Sequence, residues 1–152
     1  MISEAVLKAL QARMRKLTEA SISIAAQAGQ LRAAIEQAEA AAKTTSNEEA
    51  AAKRENDRLL GEARALQEYI DGLVRGGQDP ALIAALQEEL GDLERKQREV
   101  AQQIERIKSR SNAISQSLVI SRAELEATEE KHRQTADQAM KLREHIEKEV
   151  HT

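Results

Sequence analysis

The segment Arg75-Gly76-Gly77-Gln78-Asp79-Pro80 decides how the rest of the chain is read. It holds the one proline of the 152 residues and a pair of adjacent glycines. Glycine enters the left-handed backbone region at no Cβ cost, so Gly76 or Gly77 can close a helix at its C-terminus. Aspartate is a favoured N-cap, and a proline directly after it falls on the first helical position, where its missing N–H is harmless. One helix is therefore predicted to end near Arg75 and a second to start near Pro80.

On both sides of this segment the apolar residues follow a seven-residue repeat. In the first arm, a positions run from Leu7 through Met14, Ile35 and Ala42 to Ile70, and d positions from Leu10 through Leu31, Thr45 and Leu59 to Leu73. In the second arm, a runs from Ile83 through Leu90, Ile104, Leu118 and His132 to Ile146, and d from Leu86 through Ile107, Ile114 and Thr128 to Glu149. Of 34 Leu, Ile, Val and Met residues, 23 lie on these positions, which occupy about a quarter of the chain. A sustained 3.5-residue period specifies a left-handed coiled coil. The phase slips by one residue across the Gly-Gly and Asp-Pro pairs, which fits two helices better than one. The predicted fold is all-α: a single antiparallel coiled-coil hairpin over residues 1–152. Its arms cover about 3–75 and 80–150, with a turn at 76–79.

A hairpin centred at residue 78 pairs residues whose numbers add to about 156, so that every a position faces a d position. Leu73 then meets Ile83, Leu66 meets Leu90, Leu31 meets Leu125, and Leu10 meets Ile146. Small residues repeatedly oppose large ones, as interdigitating layers require. At 1.5 Å per residue an arm of about 70 residues would extend about 105 Å.

Two stretches of the seam read as weak. Lys43-Thr44-Thr45-Ser46-Asn47-Glu48-Glu49 carries a capping-box spacing, Ser46 to Glu49, which would restart a helix. The heptad phase nevertheless runs through it unchanged, so a continuous helix and a short break both stand at this point. Between Ala42 and Asn56 the core positions include Thr45, Glu49 and Asn56, with Ile107 opposite Glu49. That carboxylate needs water or a cation, Lys108 or Arg110, to avoid a desolvation cost.

Composition narrows the function classes. Charged residues make up 32% and hydrophobic residues 41% of the chain, and 27 of the latter are alanine. There is no cysteine, tryptophan or phenylalanine and one tyrosine. Such a bias suits long helices and leaves little for a globular core. Disulfides, thiolate metal sites and cysteine catalysis are excluded. The N-terminus lacks the apolar core of a secretory signal, and no stretch is long enough to insert in a membrane. The expected setting is cytoplasmic, or within a virion or other large assembly.

No catalytic, metal or cofactor-binding residue is predicted. Glu129 and His132 have the Glu-x-x-His spacing of di-iron bundles, but the residues opposite are Ser21, Ile24 and Ala28, so His132 reads as a polar layer of the seam. No glycine-rich phosphate loop follows Gly76-Gly77. A basic cluster at Arg95, Lys96, Arg98, Arg106, Lys108 and Arg110 is interleaved with acids, and the net charge is −3. With no aromatic residue in that band to stack on bases, this argues against nucleic acid as partner.

The apolar residues off the seam are more informative. Val119 and Ile120 follow Leu118 directly, Ile22 lies off the seam of the first arm, and Ala26, Ala33 and Ala40 recur every seven residues on its outer f line. These six form the candidate partner-binding surface, for a second copy or another protein. Arg75, Gln78 and Asp79 form a candidate tip. The sequence predicts a non-enzymatic, rod-like structural or assembly protein that spaces or bridges protein partners, as a homo-oligomer or part of a larger complex. The alternative is a regulatory adaptor or inhibitor acting through the tip or the alanine-rich face, and a chromosome- or nucleic-acid-associated rod is a third reading.

Overall fold

The computed structural model describes residues 2–151. Two helices account for nearly all of them: α1 spans Glu4–Arg75 and α2 spans Pro80–Val150. They pack against each other as an antiparallel hairpin, and no strand occurs among the described residues.

The helix ends are built as the sequence requires. Ser3 starts α1, its Oγ accepting from the Val6 amide at 3.2 Å and its carbonyl from Leu7 at 3.0 Å. At the turn, Gln78 N–H donates to the Leu73 carbonyl at 3.0 Å and Gly77 N–H to Val74 at 3.2 Å. This pair of bonds defines a Schellman cap, and the residue it needs in the left-handed region is Gly77, at φ 64°. Asp79 then caps α2, Oδ1 accepting from Ala81 N–H at 2.9 Å and its carbonyl from Ile83 at 3.1 Å.

The capping-box spacing at Ser46 does not restart a helix, because α1 runs through it without interruption. Thr44 and Thr45 turn their hydroxyls back onto the carbonyls of Ala40 and Ala41, at 3.1 and 2.8 Å. That bond satisfies a hydroxyl within the helix, so Thr45 can be 95% buried at its d position with no unpartnered polar atom.

The paired helices form two compact units, Met1–Glu39 with Gln116–Thr152 (unit 1) and Ala40–Ser115 (unit 2). In unit 1 the core consists of Leu17, Ile24, Ala28, Ile35 and Leu118. Unit 2 has Leu59, Ile70, Leu90, Ile104 and Ile107, and the last of these is its best-covered side chain at 1% exposure. In both units burial follows the heptads. Every a and d position is buried or half-buried, and off the seam only Ile2, Ala12, Glu55, Ala101 and Glu129 are sheltered.

Bonds across the seam report the register. In unit 1 Arg32 pairs with Glu129 at 2.9 Å and Arg122 with Glu39 at 3.1 Å, all four at e positions. In unit 2 Arg110 pairs with Glu48 at 3.2 Å, both at g positions. The numbers in these three ion pairs add to slightly more, and those of the Gln97–Asn56 bond to slightly less, than the sum of about 156 expected from the sequence. Helical side chains lean toward their own N-terminus, so in an antiparallel pair the tips of these ion pairs meet a little beyond the level of the backbones. The two core amides of unit 2, Gln97 and Asn56, satisfy each other through Nε2–H donating to Oδ1 at 3.0 Å. Glu49 does not reach Lys108 or Arg110. It pairs with Lys53 one turn on, at 3.3 Å, while Lys108 pairs with Glu105 and Arg110 with Glu48.

Candidate functional site

The Glu-x-x-His pair is not assembled into a site. Glu129 lies on Arg32, and His132 borders a shallow recess of about 360 Å³ with Ala25, Ala28 and Arg133. Among the described residues no group of three His, Asp or Glu side chains is placed to hold a metal.

At the tip, both polar residues serve the turn. Asp79 gives its carboxylate to the α2 cap, and the Gln78 side chain folds back over Gly76. Arg75 ends α1, where a cation complements the helix dipole.

Some basic residues of unit 2 are paired within their own helices, Lys53, Arg58, Arg95 and Lys108 among them. Arg95 pairs with Asp92, and Arg58 with Glu55 and Glu62. Through that bond the guanidinium holds the Glu55 carboxyl below its ordinary value, and Arg58 in turn is raised. Among the described residues Lys96, Arg98 and Arg106 have no ion pair; Lys96 at g and Arg106 at c share one flank, and Arg98 at b faces the other.

All six residues of the candidate surface are exposed, and the heptad geometry separates them. Ile22 is 66% exposed, Val119 67% and Ile120 58%. Residues b and e share one flank of an antiparallel pair, and c and g share the other. Ile22 and Val119 are both b residues, on the flank that carries the Arg32–Glu129 and Arg122–Glu39 pairs. Ile22 adjoins Met140, 60% exposed, in a groove of about 290 Å³ floored by Met14, Ala136 and Ala139. Ile120 is a c residue and faces the opposite flank. There a larger groove, about 600 Å³, lies between Gln27, Gln30, Leu31 and Ala34 of α1 and Ala127 and Thr128 of α2, with Glu124 at its edge. Ala26 and Ala33 line the outer side of α1 in unit 1, and Ala40 belongs to unit 2. The structure thus offers separate faces, not one patch. Sequence reasoning did not assign Met140 to the Ile22 face or find the groove beside Ile120. Assigning e/b and c/g residues to opposite flanks would have revealed both.

Comparison with known protein families, curated proteins and solved structures finds no match for this chain.

Proposed function

We propose that the protein is a non-enzymatic structural or assembly component, whose helical hairpin spaces or bridges protein partners and associates through its outer faces. The supporting observation is unburied surface. The chain of 16.8 kDa exposes 10912 Å², where a compact globular protein of that mass exposes about 7,700 Å². Each helix has one neighbour, so apolar side chains off the seam are left in water, Ile22, Val119, Ile120 and Met140 among them in unit 1. Each gives up roughly 1.5–3 kcal/mol that full burial would recover. The clefts of unit 1 are shallow and most carboxylates lie on solvated faces, which supports a binding over a catalytic role.

The test is the double variant Val119→Glu with Ile120→Glu, studied by circular dichroism and light scattering. Both residues lie off the seam, so helicity should stay nearly intact while assembly is lost. Unchanged assembly would overturn association through these faces.

A further inference from the structure

Between residues 20–37 of α1 and 117–138 of α2, one flank of unit 1 is nearly without charge, although Arg13, Lys16, Lys141 and Lys148 stand on the same flank nearer the chain ends. Along the g and c positions of α1 the residues are Ala20, Ser23, Gln27, Gln30, Ala34 and Gln37. Facing them on α2 are Ser117, Ile120, Ala127, Gln134 and Gln138, and the only charges there are Glu124 and Lys131. The opposite flank at the same level carries Arg32, Glu36, Glu39, Arg122, Glu126, Glu129 and Arg133. Surface helices normally spread charge around their exposed sides. Within this stretch of the flank, charge is confined to the two α2 side chains.

The same flank carries a knob and a hole. Ile120 stands out from it, 58% exposed. The 600 Å³ groove opens beside it, with Ala127, one heptad further along α2, in its wall. One heptad is about 10 Å along a helix. A two-fold axis running across the helices in the plane of this flank, midway between Ile120 and Ala127, would set Ile120 of each copy against Ala127 of the other, on the α2 wall of the groove. We infer that the partner on this flank is a second copy of the chain, docked two-fold by the reciprocal packing of Ile120 on Ala127 at the α2 wall of the groove.

Three features favour a second copy over a foreign protein. Knob and hole lie on one surface at a spacing that a two-fold satisfies, as an isologous interface requires. The glutamines flanking the groove each carry both donor and acceptor groups, so they can pair with their own kind. The area is adequate: about 33 Å of flank across two helices each about 10 Å wide gives roughly 600 Å² per copy, at the lower limit for stable interfaces. This predicts a dimer that dissociates in the micromolar range. Glu124 falls near the axis, where two carboxylates approach each other and weaken the dimer.

The inference rests on the proposal that the protein works by association, and it makes a narrower claim. Sedimentation equilibrium on the full chain and single variants separates the two. Ile120→Glu should raise the dimer dissociation constant at least ten-fold, Val119→Glu on the other flank should change it less than three-fold, and Glu124→Gln should lower it. Because the chain has no cysteine, Ala34→Cys should cross-link two chains under oxidation and Ala33→Cys, turned away by about 100°, should not. Cross-linking of Ala33→Cys alone, or greater loss from Val119→Glu than from Ile120→Glu, would overturn this flank while leaving association in place. A wild-type chain that is monomeric at 100 µM would overturn self-association altogether.

Discussion

Replacing Ile107 by alanine probes the best-covered seam position of unit 2, at 1% exposure. The change removes three carbons, worth about 0.8 kcal/mol each, or about 2.4 kcal/mol of transfer free energy. The helix backbone holds the neighbours apart, so a void of about 40 Å³ should persist and add about 1 kcal/mol. The expected loss is about 3.5 kcal/mol. Ile114, one heptad further in the same unit, occupies an equivalent d position but is only half-buried. Its replacement by alanine should cost about 1–1.5 kcal/mol, because less area is involved and water can fill the space. Both changes gain the same helix propensity on going to alanine, so that contribution cancels in the comparison. Urea unfolding followed by circular dichroism should show the two variants about 2 kcal/mol apart with similar slopes. Equal losses would refute the claim that packing within this seam, and not helix propensity, holds unit 2 together.

Three further outcomes follow. Gly77→Ala should destabilise the turn by about 1 kcal/mol, since φ is positive there. Gly76→Ala, where a Cβ would find 3.4 Å to the nearest atom, should cost less, and equal effects in thermal unfolding would contradict the cap assignment. Asn56→Ala should cost about 1–2 kcal/mol by leaving the Gln97 amide unpaired, and a double-mutant cycle with Gln97→Ala should show favourable coupling. The Glu55 carboxyl is lowered by its bond to Arg58, so its stabilising contribution is present above the ordinary carboxylate range and disappears as pH falls through the depressed folded value. Glu55→Gln should remove that portion of the acid dependence in a pH series of urea midpoints, and an unchanged series would contradict it.

The features readable from sequence were those with a strict local rule. The Gly-Gly pair, Asp79 and Pro80 have backbone requirements that permit little besides a helix stop and start, so the turn was legible, while the choice of Gly77 over Gly76 for the left-handed position came from the structure. The heptad phase was legible because burial in a two-helix pair depends on angle alone, and every a and d position is sheltered as that predicts. Long polar side chains were less legible. Glu49 takes Lys53 one turn away on its own helix and does not reach Lys108 or Arg110 across the seam. Asn56 was readable as a core polar residue, but its bond to Gln97 in the adjacent layer depends on rotamers that spacing does not specify. The surface was legible as composition and not as arrangement: Val119 and Ile120 are neighbours in sequence yet serve opposite flanks.

Association is the central functional claim, and the mass of the unaltered chain in solution tests it most directly. Sedimentation equilibrium across the micromolar range should give a weight-average mass rising with concentration from the 16.8 kDa of one chain toward twice that value or more. A mass that stays at 16.8 kDa up to 100 µM would contradict self-association and leave a monomeric adaptor in its place.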